Sequence, residues 1–163
     1  MNFKEYLLEV GNSVTKPKNV KKWNDSTDVV YTFTVGDNDF RTTLEIKQRD
    51  VRVIIDVDFK LEDPDLRTRE KYKLTGVGNP LEVIGSVVWC VLDHIKTLDD
   101  DLQLFVLTFT GKEEVGGDRR RRDIYFKFVD RNLKSRKIKD YEIKLFGADV
   151  EVHFKDTKMK DFK

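Results

Sequence analysis

Cysteine is almost absent from this sequence, and the single one, Cys90, excludes an internal disulfide and any zinc site built from several thiolates. Histidine is nearly as scarce, with His94 and His153 the two examples. His94 follows Cys90 by four residues and can share its helix face. In so apolar a stretch Cys90 reads as a small buried hydrophobe. A nucleophile needs an activating partner, and a polarised pair seldom sits in such a helix. An excess of one charge is also missing, since 31 Lys and Arg meet 30 Asp and Glu for a formal net charge of +1. That removes any whole-chain electrostatic case for nucleic acid. No apolar run approaches the ~18 residues of a membrane span. Residues 1–11 are a short amphipathic segment carrying Lys4, Glu5 and Glu9, unlike a secretory signal. The expected location is cytoplasmic.

What is present suffices for one folded domain. A chain of 163 residues that is 39% hydrophobic and 11% aromatic can bury a real core, so residues 1–163 are expected to form a single α+β domain. Charge is unevenly spread within it: residues 50–102 are acidic, and residues 111–163 hold sixteen Lys and Arg against eleven Asp and Glu. This pattern marks either two functional faces or internal charge balance.

Residues 1–27 are expected to hold an N-terminal helix, capped by Asn2 and ended by Gly11, then a polar loop or poorly formed helix. Three strands follow at residues 29–35, 40–48 and 51–59, rich in β-branched and aromatic residues. In the third, Val51, Val53, Ile55, Val57 and Phe59 point one way, while Arg52, Ile54, Asp56 and Asp58 point the other. A short strand at 71–75 precedes a glycine turn. Asn79 then caps and Pro80 begins a helix running to residue 98, apolar around most of its circumference and so buried on more than one side. Gly85 and Ser86 are its close-approach positions. The continuous apolar run at 102–109 suggests a strand covered on both faces. A helix from Asp118 to about Asn132 presents Ile124, Phe128 and Val129, with Tyr125 adjacent. Strands at 141–146 and 150–154 close the core, and residues 156–163 are expected to be a frayed, lysine-rich tail. The strand–helix–strand unit over 71–110 should be a parallel crossover, and the other pairings antiparallel.

The most informative motif is Lys73-Leu74-Thr75-Gly76-Val77-Gly78-Asn79. Glycines permit a sharp turn and close backbone approach, and the N–H groups of a helix start attract an anion. The same residues make a good structural turn and cap, so a phosphate cradle and a plain helix start both fit. A second feature is Arg119-Arg120-Arg121-Arg122, which with Lys127, Arg131, Lys134, Arg136, Lys137 and Lys139 offers a face for nucleic acid or phosphate. Its alternative is a solvated face neutralised by Glu113, Glu114, Asp118, Asp123 and Asp130. Trp23 and Trp89 read as core or edge-packing residues.

The element order and the Lys73-x-x-Gly76-x-Gly78 turn resemble the GNAT (N-acetyltransferase) fold over residues 28–155. That family carries Arg or Gln where Lys73 stands. The resemblance implies a GNAT-like mixed, mostly antiparallel sheet, with a central buried helix and a second helix near the C-terminal strands. It further implies acetyl-CoA as cofactor, with its pyrophosphate on Lys73, Gly76, Gly78 and Asn79. Tyr125 matches the tyrosine that acts as general acid toward the departing thiolate, and the arginines could meet the 3′-phosphate of coenzyme A. Two departures matter. Pro80 removes one donor from the cradle. The third strand has no glutamate as general base; Asp56 and Asp58 are the nearest carboxylates. Either could accept an amine proton through water if burial raised its pKa, Asp58 being the candidate catalytic base.

The same stretch is also similar to small uncharacterised phage-encoded proteins, through the Thr75 to Asn79 turn, the apolar helix, the Phe105 to Phe109 strand and the Arg119 to Tyr125 segment. This implies a viral protein, in the host cytoplasm or on a virion, with a protein or nucleic acid as partner. The functional expectation is a non-enzymatic binding, virion-associated or host-interaction module. The alternative is an acetyl-CoA-dependent N-acyltransferase.

Overall fold

Apolar–polar alternation governs the first half of the chain, and it is realised as an antiparallel meander. The structure, a computed structural model, describes residue 14 and residues 16–62, 80–110 and 120–163. Strands β1 (Lys18–Asp25), β2 (Asp28–Val35), β3 (Asn38–Arg49) and β4 (Arg52–Leu61) succeed one another through tight turns. Gly36, at φ 59°, supplies the left-handed backbone of the β2–β3 turn, which glycine adopts without strain. The chain then passes through helix α1 (Pro80–Ile95) to β5 (Gln103–Phe109) and through α2 (Arg120–Ser135) to the hairpin of β6 (Tyr141–Phe146) and β7 (Asp149–Phe154). A 3-10 turn, Met159–Phe162, follows.

The strands form one seven-stranded sheet in the order β1-β2-β3-β4-β5-β7-β6. β4 and β5 run parallel, paired from Arg52 opposite Gln103 to Val57 opposite Phe109. The other pairings among the described residues are antiparallel. The chain is thus an α+β protein with a mostly antiparallel sheet, one central helix and a second helix near the C-terminal strands.

One face of this sheet carries the core. Val53, Ile55, Val57, Phe59 and Leu61 of β4 are buried, while the alternate residues from Ile54 to Lys60 are half-buried on the other face. Cross-strand rows extend the apolar face: Tyr31, Thr42 and Phe59 align, as do Val29, Leu44 and Val57. α1 and α2 lie side by side on it. α1 buries Val83, Ile84, Val87, Cys90, Val91 and Ile95, and α2 buries Tyr125, Phe128, Val129 and Leu133. Each such aliphatic side chain stabilises the fold by about 1.5–3 kcal/mol. Gly85 sets the helix spacing, because a Cβ there would stand 3.2 Å from the Phe128 ring.

Five expectations need correction. Val51, expected to open the third strand on its apolar face, lies in the turn before β4 and is 52% exposed. Residues 18–25, placed in a polar loop, are the edge strand β1. Nearly all of its residues are exposed, so no apolar alternation marks it, and backbone pairing with β2 holds it instead. Residues 156–163 are docked rather than frayed: Met159 and Phe162 are buried, and the Met159 N–H donates to the Leu102 carbonyl at 2.8 Å. Among the described residues β5 is covered on one face alone, since both helices lie on the same side and Phe105 is left 39% exposed. The parallel partner of β5 is β4, so the crossover begins there rather than at residue 71. The expected helix over 3–10, the short strand over 71–75 and the glycine turn lie outside the described residues.

Candidate functional site

The place to look for acyl-transfer chemistry is where β4 and β5 end beside α2. Parallel pairing continues to the last residue of β5, and the Thr110 N–H still donates to the Val57 carbonyl at 2.9 Å. β4 continues for four residues beyond this point, from Asp58 to Leu61, paired with β3. The space next to that extension is taken by the Tyr125 ring. It packs at 5.9 Å from Phe59, edge-on, and at 4.8 Å from Phe109. All three rings are buried, with Tyr125 at 0% exposure. The i, i+4 spacing of Tyr125, Val129 and Leu133 on α2 turns all three toward the sheet. Aromatic side chains therefore pack together on the helix-bearing face where the two strands end.

Asp58 is not brought to Tyr125. It precedes Phe59 by one residue, and the two-residue period of a strand sends it to the opposite face, across from Thr43. The sheet itself stands between the proposed acid and the proposed base. Asp56 occupies that same far face, with Lys47 Nζ at 3.9 Å.

The basic run is partly absorbed by the fold. Arg122 donates through Nη1 to the Gly147 carbonyl at 3.1 Å and through Nη2 to Asp123 at 2.9 Å, tying α2 to the β6–β7 turn. Farther along, Lys134 pairs with Asp130 at 2.9 Å and Arg136 donates to the Phe162 carbonyl at 3.0 Å. Interleaved acids and main-chain acceptors thus occupy Arg122, Lys134 and Arg136. Arg120 and Arg121 belong to the first turn of α2. Arg119, and Lys73, Gly76, Gly78 and Asn79 of the glycine turn, lie outside the described residues.

A polar cluster that the sequence reading did not assemble sits where α1 crosses β2. The Tyr31 hydroxyl donates to Asp93 at 2.8 Å, and Lys22 of β1 reaches over the Tyr31 ring at 5.3 Å. Trp89 meets the same ring edge-on at 6.4 Å. Burial, reinforced by the Asp93 hydrogen bond, pushes the Tyr31 hydroxyl far above the usual tyrosine range. Burial likewise raises the Cys90 thiol, with the Asp93 carboxylate adding to it. His94 is lowered to about 4, chiefly by burial and then by the nearby Lys22 ammonium. At neutral pH the thiol is therefore protonated and the imidazole neutral, the inverse of an activated cysteine–histidine couple. The signal was an Asp-His pair in the last turn of an otherwise apolar helix, whose partners came from distant strands.

Surface recesses lie elsewhere. One of about 440 Å³ is bounded by Asn19, Lys21, Thr34, Asp39, Arg41 and Glu62, with Arg41 and Glu62 ion-paired. Another, of about 630 Å³, lies beside Asp99, Asp100, Asp101 and Lys163. Neither is lined by Tyr125 or Asp58. No group of three or more potential metal ligands occurs among the described residues. Within the same residues, no helix is long and apolar enough to cross a membrane. Comparison with known protein families, with curated proteins and with solved structures gave no match.

Proposed function

We propose that this chain is a phage-encoded GNAT-like module that works by binding and not by acyl transfer, as a virion-associated or host-directed protein. The observation that carries this reading is the packing of Tyr125 against Phe59 and Phe109 at the ends of β4 and β5. A transferase needs room there for a thioester, with an acid and a base converging on it. Instead Tyr125 is enclosed between Phe59 and Phe109, and Asp58 lies across the sheet. A protein partner fits better than nucleic acid, because Arg122, Lys134 and Arg136 are engaged within the fold.

Isothermal titration with acetyl-CoA and with CoA tests the reading. The expected result is no saturable heat at millimolar ligand; saturable binding accompanied by acetyl transfer to an amine would overturn it. A gel shift tests the choice of partner. Retardation that weakens steeply with salt would favour nucleic acid.

One observation supports the acetyl-CoA-dependent N-acyltransferase as a second reading. The chain has a parallel β4–α1–β5 crossover, and α1 starts at Pro80, directly after the Gly76-Val77-Gly78-Asn79 sequence. Ligands of open sheets gather at the carboxyl ends of parallel strands. On this reading Lys73, Gly76, Gly78 and Asn79 hold the pyrophosphate, and the titration above decides between the two.

A further inference from the structure

Among the described residues the sheet has two outer strands, and their sequences treat solvent differently. β1 is guarded: Lys18, Lys21 and Lys22 line it, its pairing with β2 slips between Lys18 and Lys21, and Asn19 takes a positive φ of 54°. Such charges and irregularities discourage a second strand from adding. β6, at the other end, is regular, with unbroken pairing to β7 from Tyr141 to Phe146. It also leaves Leu145 43% and Phe146 54% exposed.

The hairpin decides which backbone groups of β6 face outward. Phe146 and Asp149 close a two-residue turn at Gly147 and Ala148, so they form a hydrogen-bonded pair, and such pairs recur at alternate positions. Glu142, Lys144 and Phe146 therefore turn their N–H and C=O groups toward β7. Tyr141, Ile143 and Leu145 turn theirs toward the open edge.

We propose that β6 pairs antiparallel with β6 of a second copy of this chain, about a two-fold axis at Ile143. In that register Ile143 faces its own counterpart, and Tyr141 faces Leu145 of the other copy. The outward backbone groups then meet as hydrogen-bonded pairs, about six bonds in all. Glu142 and Lys144 fall opposite each other twice, at positions between those pairs where side chains approach most closely. Both lie on the sheet face away from the helices, in rows with His153 and Glu151. Tyr141, Ile143 and Leu145 lie on the helix-bearing face, where they extend the apolar surface across the axis. The segment Tyr-Glu-Ile-Lys-Leu is thus self-complementary in charge and in apolar character, as a two-fold interface requires. The pairing would join two seven-stranded sheets edge to edge.

Sedimentation equilibrium of the full chain, from about 1 μM to about 1 mM, tests this together with the variants K144E and E142K/K144E. The expected outcome is a monomer–dimer equilibrium that K144E weakens by roughly tenfold or more, by setting like charges opposite, and that the double swap restores. Amide exchange of unaltered protein adds a readout that needs no substitution. Tyr141, Ile143 and Leu145 should exchange more slowly as concentration rises. A monomer throughout the range, a dimer indifferent to K144E, or a dimer lost in K144E and not recovered in the double swap would each overturn the proposal.

Discussion

Replacing Tyr125 with alanine probes the junction on which the functional reading rests. The side chain is fully buried and touches two rings, at 4.8 Å and 5.9 Å. An aromatic side chain removes about 150–250 Å² from water, and at ~25 cal/mol per Å² its burial stabilises by about 4–6 kcal/mol. Truncations of buried aromatic residues cost about 3–5 kcal/mol, depending on how far the site collapses. A loss of about 4 kcal/mol is therefore expected. With a urea m-value of roughly 2 kcal/mol/M, the unfolding midpoint should fall by about 2 M. The void left between Phe59 and Phe109 is apolar, and phenol should recover part of the lost stability by occupying it. A loss below about 1 kcal/mol, with no response to phenol, would mean that the ring stands at the mouth of an open cleft.

Three further outcomes follow from the packing. His94 is held near 4 in the fold against 6.5 when unfolded, so the unfolded chain binds the proton first as pH falls. The stability that depends on a neutral His94 is complete above about pH 6.5 and is lost as pH drops toward 4. The shift sets a limit of about 3 kcal/mol, and solvent at the half-buried ring screens this to about 1–2 kcal/mol. Urea midpoints at pH 7 and 4.5 should therefore fall less in His94→Gln than in the unaltered chain. Thr42 is completely buried, with no partner for its hydroxyl among the described residues. Thr42→Val should raise stability by about 1 kcal/mol, and a decrease in the melting temperature would contradict that. Phe162 is buried edge-on to Phe154 at 6.1 Å, so Phe162→Ala should cost about 3 kcal/mol. An unchanged unfolding curve would mean that the C-terminal segment is free.

Much of the architecture was legible because its signals are local. β2, β3 and β4 alternate apolar and polar residues, and α1 carries an unbroken apolar stretch behind a proline start. β1 was illegible because an edge strand exposed on both faces has no buried side to imprint a period. The docked tail hides two apolar anchors, Met159 and Phe162, among lysines, and what receives it includes Leu102, far back in the chain, as well as Phe154. The apolar run of β5 suggested two covered faces. In the fold Arg52 lies over the exposed Phe105 ring at 5.0 Å, shielding it in place of a third layer.

The candidate site shows the same division. Tyr125 was recognisable as a residue of interest from its neighbours, but its burial depends on Phe59 and Phe109, which no local pattern connects to it. The separation of Asp58 from Tyr125 could have been read from strand periodicity once Phe59 was placed against α2. Of the four arginines, Arg122 finds its acceptor on Gly147, twenty-five residues away, a contact that depends on how α2 meets the β6–β7 hairpin.

Native-state amide exchange at Thr110 tests most directly whether the strand ends are closed. Its N–H donates to the Val57 carbonyl at 2.9 Å, at the point where a cofactor-binding wedge would have to open. Closed strands should give Thr110 protection close to that of Leu107 in the middle of β5, unchanged by millimolar acetyl-CoA. Rapid exchange at Thr110 beside a protected Leu107, or protection that changes on adding acetyl-CoA, would contradict the account.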